Sequence, residues 1–296
     1  MKTRLVILTA VLTWGTFVNA CLAQSPSQPS SQPSQEIKPA AKEAQGIEKA
    51  QAEKSQKVQA DQSTVGMTAP QGAVVLFDGT SFDAWKPFSW TWINPKDNQK
   101  EIQWKLVDDA MEIALEFEGR RRQQTLCTKQ KFGDYRLHLE FMLPEGSSGN
   151  SGLFFGPLYE LQIINSSKKK TLGLRDCGAI YQVRLPDKNV ALGPGVWQTV
   201  DLIYQHAEVK NYGYMTEKGA ARVTAQLNGA LIHDNTKLSL RRNKYAAYPE
   251  ESTSRIVLQD HGSPVKFRNI WIQETPDSIK DSLLKLFRAK AKPADK

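Results

Sequence analysis

Residues 135–143 read YRLHLEFML, which places Leu137, Leu139, Phe141 and Leu143 on one side of an extended backbone. Arg136, His138 and Glu140 fall on the other side, the period-two pattern of a half-buried strand. Comparable runs occupy 72–77, 103–115, 151–155, 159–165, 178–183, 197–205, 221–234, 255–261 and 265–273. Asn228 and Gly229, between two such stretches, are the favoured dipeptide of a type I′ hairpin. Residues 255–274 read as another hairpin, two apolar runs joined by Gly262, Ser263 and Pro264. Ile270, Trp271 and Ile272 are consecutive in its second run, so both faces of that strand are expected to be covered. Many short strands and almost no internal helix imply an all-β sandwich of two sheets.

The pattern breaks at both ends. Lys2 and Arg4, an apolar run over 5–18, and small residues at Ala20 and Ala23 read as an export signal over 1–23. Cleavage after Ala23 would release a soluble protein, whereas cleavage before Cys21 would leave a lipidated Cys21, so the expected location is periplasmic or secreted. Residues 24–70 are Ser, Gln, Pro, Ala, Lys and Glu without an aromatic, a disordered linker that cannot bury enough apolar area to offset its ordering entropy. The folded domain is expected over 71–275. In 276–296, Asp277 and Ser278 open a stretch with Ile279, Leu283, Leu286 and Phe287 near helical spacing. This is a short, basic amphipathic helix that could dock on its own domain or lie on a membrane surface.

Charge changes the picture less than its total suggests. The formal net charge is +8, but the signal takes two of these charges, the linker sums to zero, and 71–278 is only +2. Nucleic-acid binding needs a basic stripe and is not expected. Besides Cys21 the chain has Cys127 and Cys177, with no CxxC pair, so a cysteine-built zinc site is not expected either.

Candidate chemistry sits where polar residues interrupt apolar strands. In YELQIIN, Glu160 and Gln162 share one face and Leu161 and Ile163 the other. The preceding GNSG turn offers Asn150 and Ser151. Gln259, Asp260, His261, Arg268 and Asn269 surround the apolar 255–274 segment, and burying such groups costs a few kcal/mol each unless they are paired.

These segments occur in a telling order: VVLFDGTSFDAWK, YRLHLEFMLP, GNSGLFF, YELQIIN, GAIYQV, PGVWQTVDLIY, LNGALIHD and LQDHGSPVKFRNIWIQE. Over about two thirds of the chain they resemble the 3-keto-disaccharide hydrolase family. The resemblance implies a concanavalin A-like jelly roll whose concave face carries Asn150, Ser151, Glu160, Gln162, Gln259 and His261, with Tyr181 and Arg268 as further substrate-binding candidates. It also implies cleavage of a 3-keto-glycoside, by hydrolysis or elimination. A ketone at sugar carbon 3 acidifies the carbon 2 proton; a base removes it, and the oxygen on carbon 1 departs. Glu160 or His261 could be the base and the other the acid, and a divalent cation held by Glu160, Gln162 or Asp176 could polarise the ketone.

One departure stands out. Where many relatives carry an arginine after the NSG strand, this chain has FFGPLYE, with Gly156 and Pro157. Lys129, Arg175 and Arg184 are the candidate substitutes. The retaining glucanases of the same fold use E-x-D-x-x-E, but the corresponding positions here are Glu160, Gln162 and Asn165, which removes two of three carboxylates. The non-enzymatic alternative is a lectin-like module that holds glycans on Trp and Tyr; Trp85, Trp90 and Trp92 could stack on sugar rings, although core or staple roles are expected for at least two of them.

Overall fold

Alternating side chains build two antiparallel sheets whose apolar faces meet. The computed structural model describes residues 64–88, 101–117, 119–121, 123–156, 159–210, 214–215, 219–238 and 252–290. All belong to one unit, Ala50–Lys296. The signal, most of the linker, Trp90 and Trp92 lie outside the described residues.

The first strands are β1 (Val74–Phe77), β2 (Trp85–Phe88), β3 (Lys105–Val107), β4 (Ala110–Glu112), β5 (Glu116–Phe117) and β6 (Arg120–Arg121). The middle of the chain supplies β7 (Thr125–Thr128), β8 (Tyr135–Met142), β9 (Ser151–Phe155), β10 (Tyr159–Ile163) and β11 (Trp197–Gln205). Then follow β12 (Val209–Lys210), β13 (Tyr214–Met215), β14 (Arg222–Leu227), β15 (Ala230–Lys237), β16 (Val257–Leu258), β17 (Lys266–Glu274) and the helix α1 (Asp277–Lys290).

One sheet has the order β15-β14-β11-β8-β17-β4-β3, with β1 also paired to β17; the other has the order β10-β9-β16-β7-β2. Leu137, Leu139 and Phe141 of the first sheet share a core with Leu153, Phe155, Leu161 and Ile163 of the second. Trp85 is part of that core and donates its indole N–H to the Leu76 carbonyl, a structural role and not a sugar platform. The β14–β15 turn is as expected: Asn228 and Gly229 have φ of 53° and 75°, the two left-handed residues of a type I′ hairpin.

Three expectations change. The 255–274 segment is not a hairpin: β16 pairs with β7 and β9, whereas β17 pairs with β8, β4 and β1. Gly262, Ser263 and Pro264 therefore carry the chain from one sheet to the other. Residues 178–183 form no strand, and Ile180 makes only isolated bridges to Leu161 and Arg184. The domain's contacts also begin before residue 71, since Gly66 N–H donates to Glu140 and the Thr64 hydroxyl to Asp201. At the other end, α1 forms where the spacing placed it. It docks on its own domain, with Leu284 and Phe287 packed against Ile203.

Candidate functional site

The faces turned away from the core differ between the sheets. In β10, Glu160 stands opposite Phe154 and Gln162 opposite Gly152, on the side away from Leu161 and Ile163. Glu160 is 5% and Gln162 3% exposed. A Cβ at Gly152 would lie 2.6 Å from Glu160 Oε1, so this glycine is what lets the carboxylate lie across β9. Ser151 Oγ donates to the Gln259 carbonyl at 2.7 Å, and Gln259 N–H donates to the Gly152 carbonyl at 2.9 Å, which fixes β9 beside the segment leading to His261.

From Gln162 a hydrogen-bonded chain leads outward. Gln162 Nε2 donates to Asn150 Oδ1 at 2.8 Å, and Asn150 Nδ2 donates to His261 Nδ1 at 3.0 Å. An amide nitrogen can only donate, so Nδ1 accepts and the neutral imidazole carries its proton on Nε2. His261 is exposed. Asp260 fixes the turn that presents it: Oδ1 accepts from Gly262 N–H and Oδ2 from Gln124 N–H, both at 2.8 Å.

Tyr181 is tied to the same strand through its backbone: Ile180 bridges to core-facing Leu161, and Tyr181 N–H donates to the Glu160 carbonyl at 2.8 Å. The Arg175 guanidinium lies 6.0 Å from the Tyr181 ring centroid. Inward along the sheet, Phe154, Val257 and Cys127 form a buried apolar strip. Burial raises the Cys127 thiol pKa, only partly offset by Lys86 and Arg255, so Cys127 is a neutral thiol and not a nucleophile. Cys177 is also free and buried.

The structure thus brings together Asn150, Glu160, Gln162, Gln259 and His261, with Tyr181 joined through its backbone; Ser151, buried opposite Ile163 on the core side, holds the Gln259 carbonyl and does not face the site. Arg268 is not among them. It lies in β17 of the eight-stranded sheet, where Nε donates to Glu140 Oε2 at 2.8 Å and the guanidinium stacks on Trp197 at 3.9 Å. Of the cation ligands considered, Asp176 is committed to Lys169 Nζ and to Gly173 N–H, both at 2.6 Å. Among the described residues no three His, Cys, Asp or Glu side chains converge on a point. Gly156 explains the departure noted above: it has φ of 59°, and a Cβ there would lie 2.2 Å from the Tyr204 hydroxyl, so no larger side chain fits.

The outer face of the eight-stranded sheet holds polar groups that strand alternation revealed only as a polar side. His138, Glu140 and Asp201 are at most 1% exposed. His138 Nδ1 lies 3.1 Å from Asp201 Oδ1, and its Nε2 lies 3.9 Å from Glu140 Oε1. A bulge at Asn269, φ 45°, lets Asn269 Nδ2 donate to Glu140 Oε1 at 2.9 Å and to the Met67 carbonyl at 3.0 Å. Burial acts to raise the Glu140 carboxyl, but hydrogen bonds from His138, Asn269, Gly66 N–H and Arg268 outweigh it and hold the pKa at about 2. Burial likewise opposes the Asp201 carboxylate, and His138, Thr64 and Arg136 overcome it and lower its pKa. For His138, burial disfavours the cation, but Asp201 and Glu140 outweigh it and raise the pKa.

A two-sheet jelly roll that presents a carboxylate, an amide relay and an imidazole on one outer face fits a carbohydrate-active class of protein. The chain belongs to the family of 3-keto-alpha-glucoside-1,2-lyase-like domains, whose model matches residues 72–273. It is 30% identical to a candidate glycosyl hydrolase of Parabacteroides distasonis of known crystal structure, with a TM-score of 0.58 over 70% of this chain and 86% of that one. A second candidate glycosyl hydrolase from that organism is 19% identical, with a TM-score of 0.52 over 71% and 99% of the two chains, and shows the fold alone. No curated protein sequence matches.

Proposed function

We propose that the protein is exported and cleaves 3-keto-glycosides by β-elimination on the outer face of the five-stranded sheet. The observation that carries this reading is the Gln162–Asn150–His261 relay beside Glu160, because it separates the two polar roles that the residue types alone left open. Glu160 is the acceptor. It would take the carbon 2 proton, the electrons of that C–H bond moving into an enediolate with the carbon 3 oxygen. The enediolate would then form the carbon 1–carbon 2 double bond as the bond from carbon 1 to the glycosidic oxygen breaks. His261, with its proton on Nε2, is the hydrogen-bond donor that would stabilise the developing oxyanion, while the leaving oxygen takes its proton from solvent.

Tyr181, whose backbone is bonded to that of Glu160, would supply a ring to pack against a pyranose. A divalent cation, if the reaction uses one, would find one carboxylate here, Glu160, and one amide, Gln162. Export rests on the charged and apolar pattern of residues 1–23.

The test is Glu160→Gln, which keeps the shape and removes the charge. With a 3-keto-disaccharide as substrate, the enone product is followed by its ultraviolet absorbance and the released sugar by chromatography. The variant is expected to lose roughly 10² to 10⁴ in rate while still binding the substrate. Unchanged turnover would remove Glu160 as the base. No turnover by the wild type, together with binding of unoxidised glycans, would make the protein a lectin-like module instead.

A further inference from the structure

We propose that the glycan taken by this site is anionic, with a carboxylate or sulfate seated on a basic wall formed by the loop that covers the outer edge of β10. The proposal rests on the preceding reading of this face as a sugar site and names the class of sugar. Residues 168–188 carry Lys168, Lys169, Lys170, Arg175, Arg184 and Lys188 against Asp176 and Asp187. The segment is therefore +4 within a body, 71–278, that is +2, so the remainder of the body is −2. The positive charge of the domain is concentrated in one loop.

That loop is fastened to the strand that carries the base. Gly178 N–H donates to the Gln162 carbonyl, Gln162 N–H to the Ala179 carbonyl, and Tyr181 N–H to the Glu160 carbonyl, at 2.8 to 2.9 Å. Lys169 pairs with Asp176 at 2.6 Å and Arg184 with Asp187 at 3.0 Å, so these two cations are neutralised within the loop. Asn189 Nδ2 donates to the Lys169 carbonyl at 2.9 Å, and the Asp176 contacts tie the lysine turn to the Arg175 turn. Lys168, Lys170 and Arg175 remain, all exposed. Among the described residues none of the three is paired with a carboxylate.

The geometry favours recognition over simple solvation. The Arg175 guanidinium lies 6.0 Å from the Tyr181 ring centroid, and the Tyr181 backbone is bonded to that of Glu160, so this cation belongs to the segment fastened directly to the proposed base. A guanidinium offers planar, paired donors that match a carboxylate or sulfate. Because hydrogen bonds hold the loop, less freedom is lost when an anion is bound there.

The experiment is calorimetric titration of the full chain with oligogalacturonate, a chondroitin sulfate oligosaccharide and a neutral malto-oligosaccharide, at low and high salt. The wild type is expected to bind one or both anionic sugars at least about tenfold more tightly than the neutral one, the gain expected of a few exposed ion pairs, and the gain should shrink with salt. The tighter anionic arm identifies the anion. Joint replacement Lys168→Gln, Lys170→Gln and Arg175→Gln should erase the preference, and Arg175→Lys with both lysines intact should retain most of it. Equal affinity for neutral and anionic sugars overturns the proposal, as does a triple variant that binds like wild type. Binding to phosphatidylglycerol vesicles but to none of the sugars, sensitive to the same triple variant, would overturn it in favour of a membrane contact. Glu160→Gln should lose turnover and keep the anion preference, so failure of the lyase reading and failure of this one are read separately.

Discussion

The two outer faces of this sandwich both bury carboxylates, yet they treat them in opposite ways. On the eight-stranded sheet Asp201, His138 and Glu140 form a closed network: Thr64 and Gly66 cover one side, Asn269 joins it to Met67, and Arg136 and Arg268 stand at the rim. On the five-stranded sheet the Gln162–Asn150 chain ends at the exposed His261, and the Glu160 carboxylate lies over Gly152. A closed network has spent its hydrogen-bonding capacity on the fold. A chain that runs to the surface still has a donor to give, which is why the catalytic proposal falls on one face and a structural one on the other.

This contrast breaks if the two faces respond alike to loss of a charge. Asp201→Asn or Glu140→Gln leaves buried partners uncompensated and should cost about 3 to 5 kcal/mol of stability. Glu160→Gln should shift stability far less while removing most turnover. Denaturant unfolding of all three variants, with the rate measured on the folded protein, checks both halves. If Glu160→Gln destabilises as much as Asp201→Asn, the five-stranded face is structural too.

The pH dependence sharpens it. Glu140 and Asp201 have lowered pKa values in the fold, so their contribution is present above the ordinary carboxylate range and is lost as pH falls toward the folded values, about 2 for Glu140. His138 has a raised pKa, so its contribution is complete below the ordinary imidazole value and is lost as pH rises through the folded one. The network should be strongest between roughly pH 5 and 6.5. His233 has the opposite sign: burial lowers its pKa, outweighing its bond to the Gly178 carbonyl, so its contribution is present above the ordinary imidazole value and is lost as pH falls through the folded one. The difference between wild type and His138→Gln therefore isolates the network. Urea midpoints should fall for the wild type between about pH 6 and 8 and stay flatter in the variant, after allowance for the variant's lower starting stability. Parallel declines would mean that His138 is neutral throughout.

Much of this was legible in the residues. Alternation located most strands, the Asn228-Gly229 turn was unambiguous, and ordered motifs grouped Asn150, Glu160, Gln162, Gln259 and His261 before any coordinates placed them. What failed were inferences about partners. Gly262, Ser263 and Pro264 signal a turn, but the same turn chemistry serves a hairpin and a crossing between sheets; only the pairing of β16 with β7 and β9 decides. Arg268 lies near His261 in sequence but, after that crossing, in the opposite sheet. Residues 136, 138 and 140 read as a polar face half open to water. That they are covered depends on residues 64–67, which composition assigned to the linker because a short strap of Thr, Val, Gly and Met has no periodic signal.

The strap is the smallest lever on the comparison and the most direct. Its contribution is a few hydrogen bonds: Thr64 Oγ1 to Asp201 Oδ2 at 2.6 Å, Gly66 N–H to Glu140 Oε1 at 2.6 Å, and the Met67 carbonyl accepting from Asn269 and from the Trp271 indole. A chain beginning at residue 68 would keep every strand but expose the network to water, which can replace those donors. The loss should therefore be less than that of removing a carboxylate, about 1 to 3 kcal/mol by comparison with other hydrogen bonds to charged groups. A chain beginning at residue 64 serves as the control and should melt like the longer protein. Because the strap lies on the sheet opposite Glu160, the shortened chain should turn over 3-keto-glycosides at the same rate per folded molecule. Thermal melts and assays of both truncations distinguish the cases. A shortened chain that melts unchanged would show that water satisfies Asp201 and Glu140 as well as the strap does, and one that stays folded but loses activity would show that the two faces are coupled through the core.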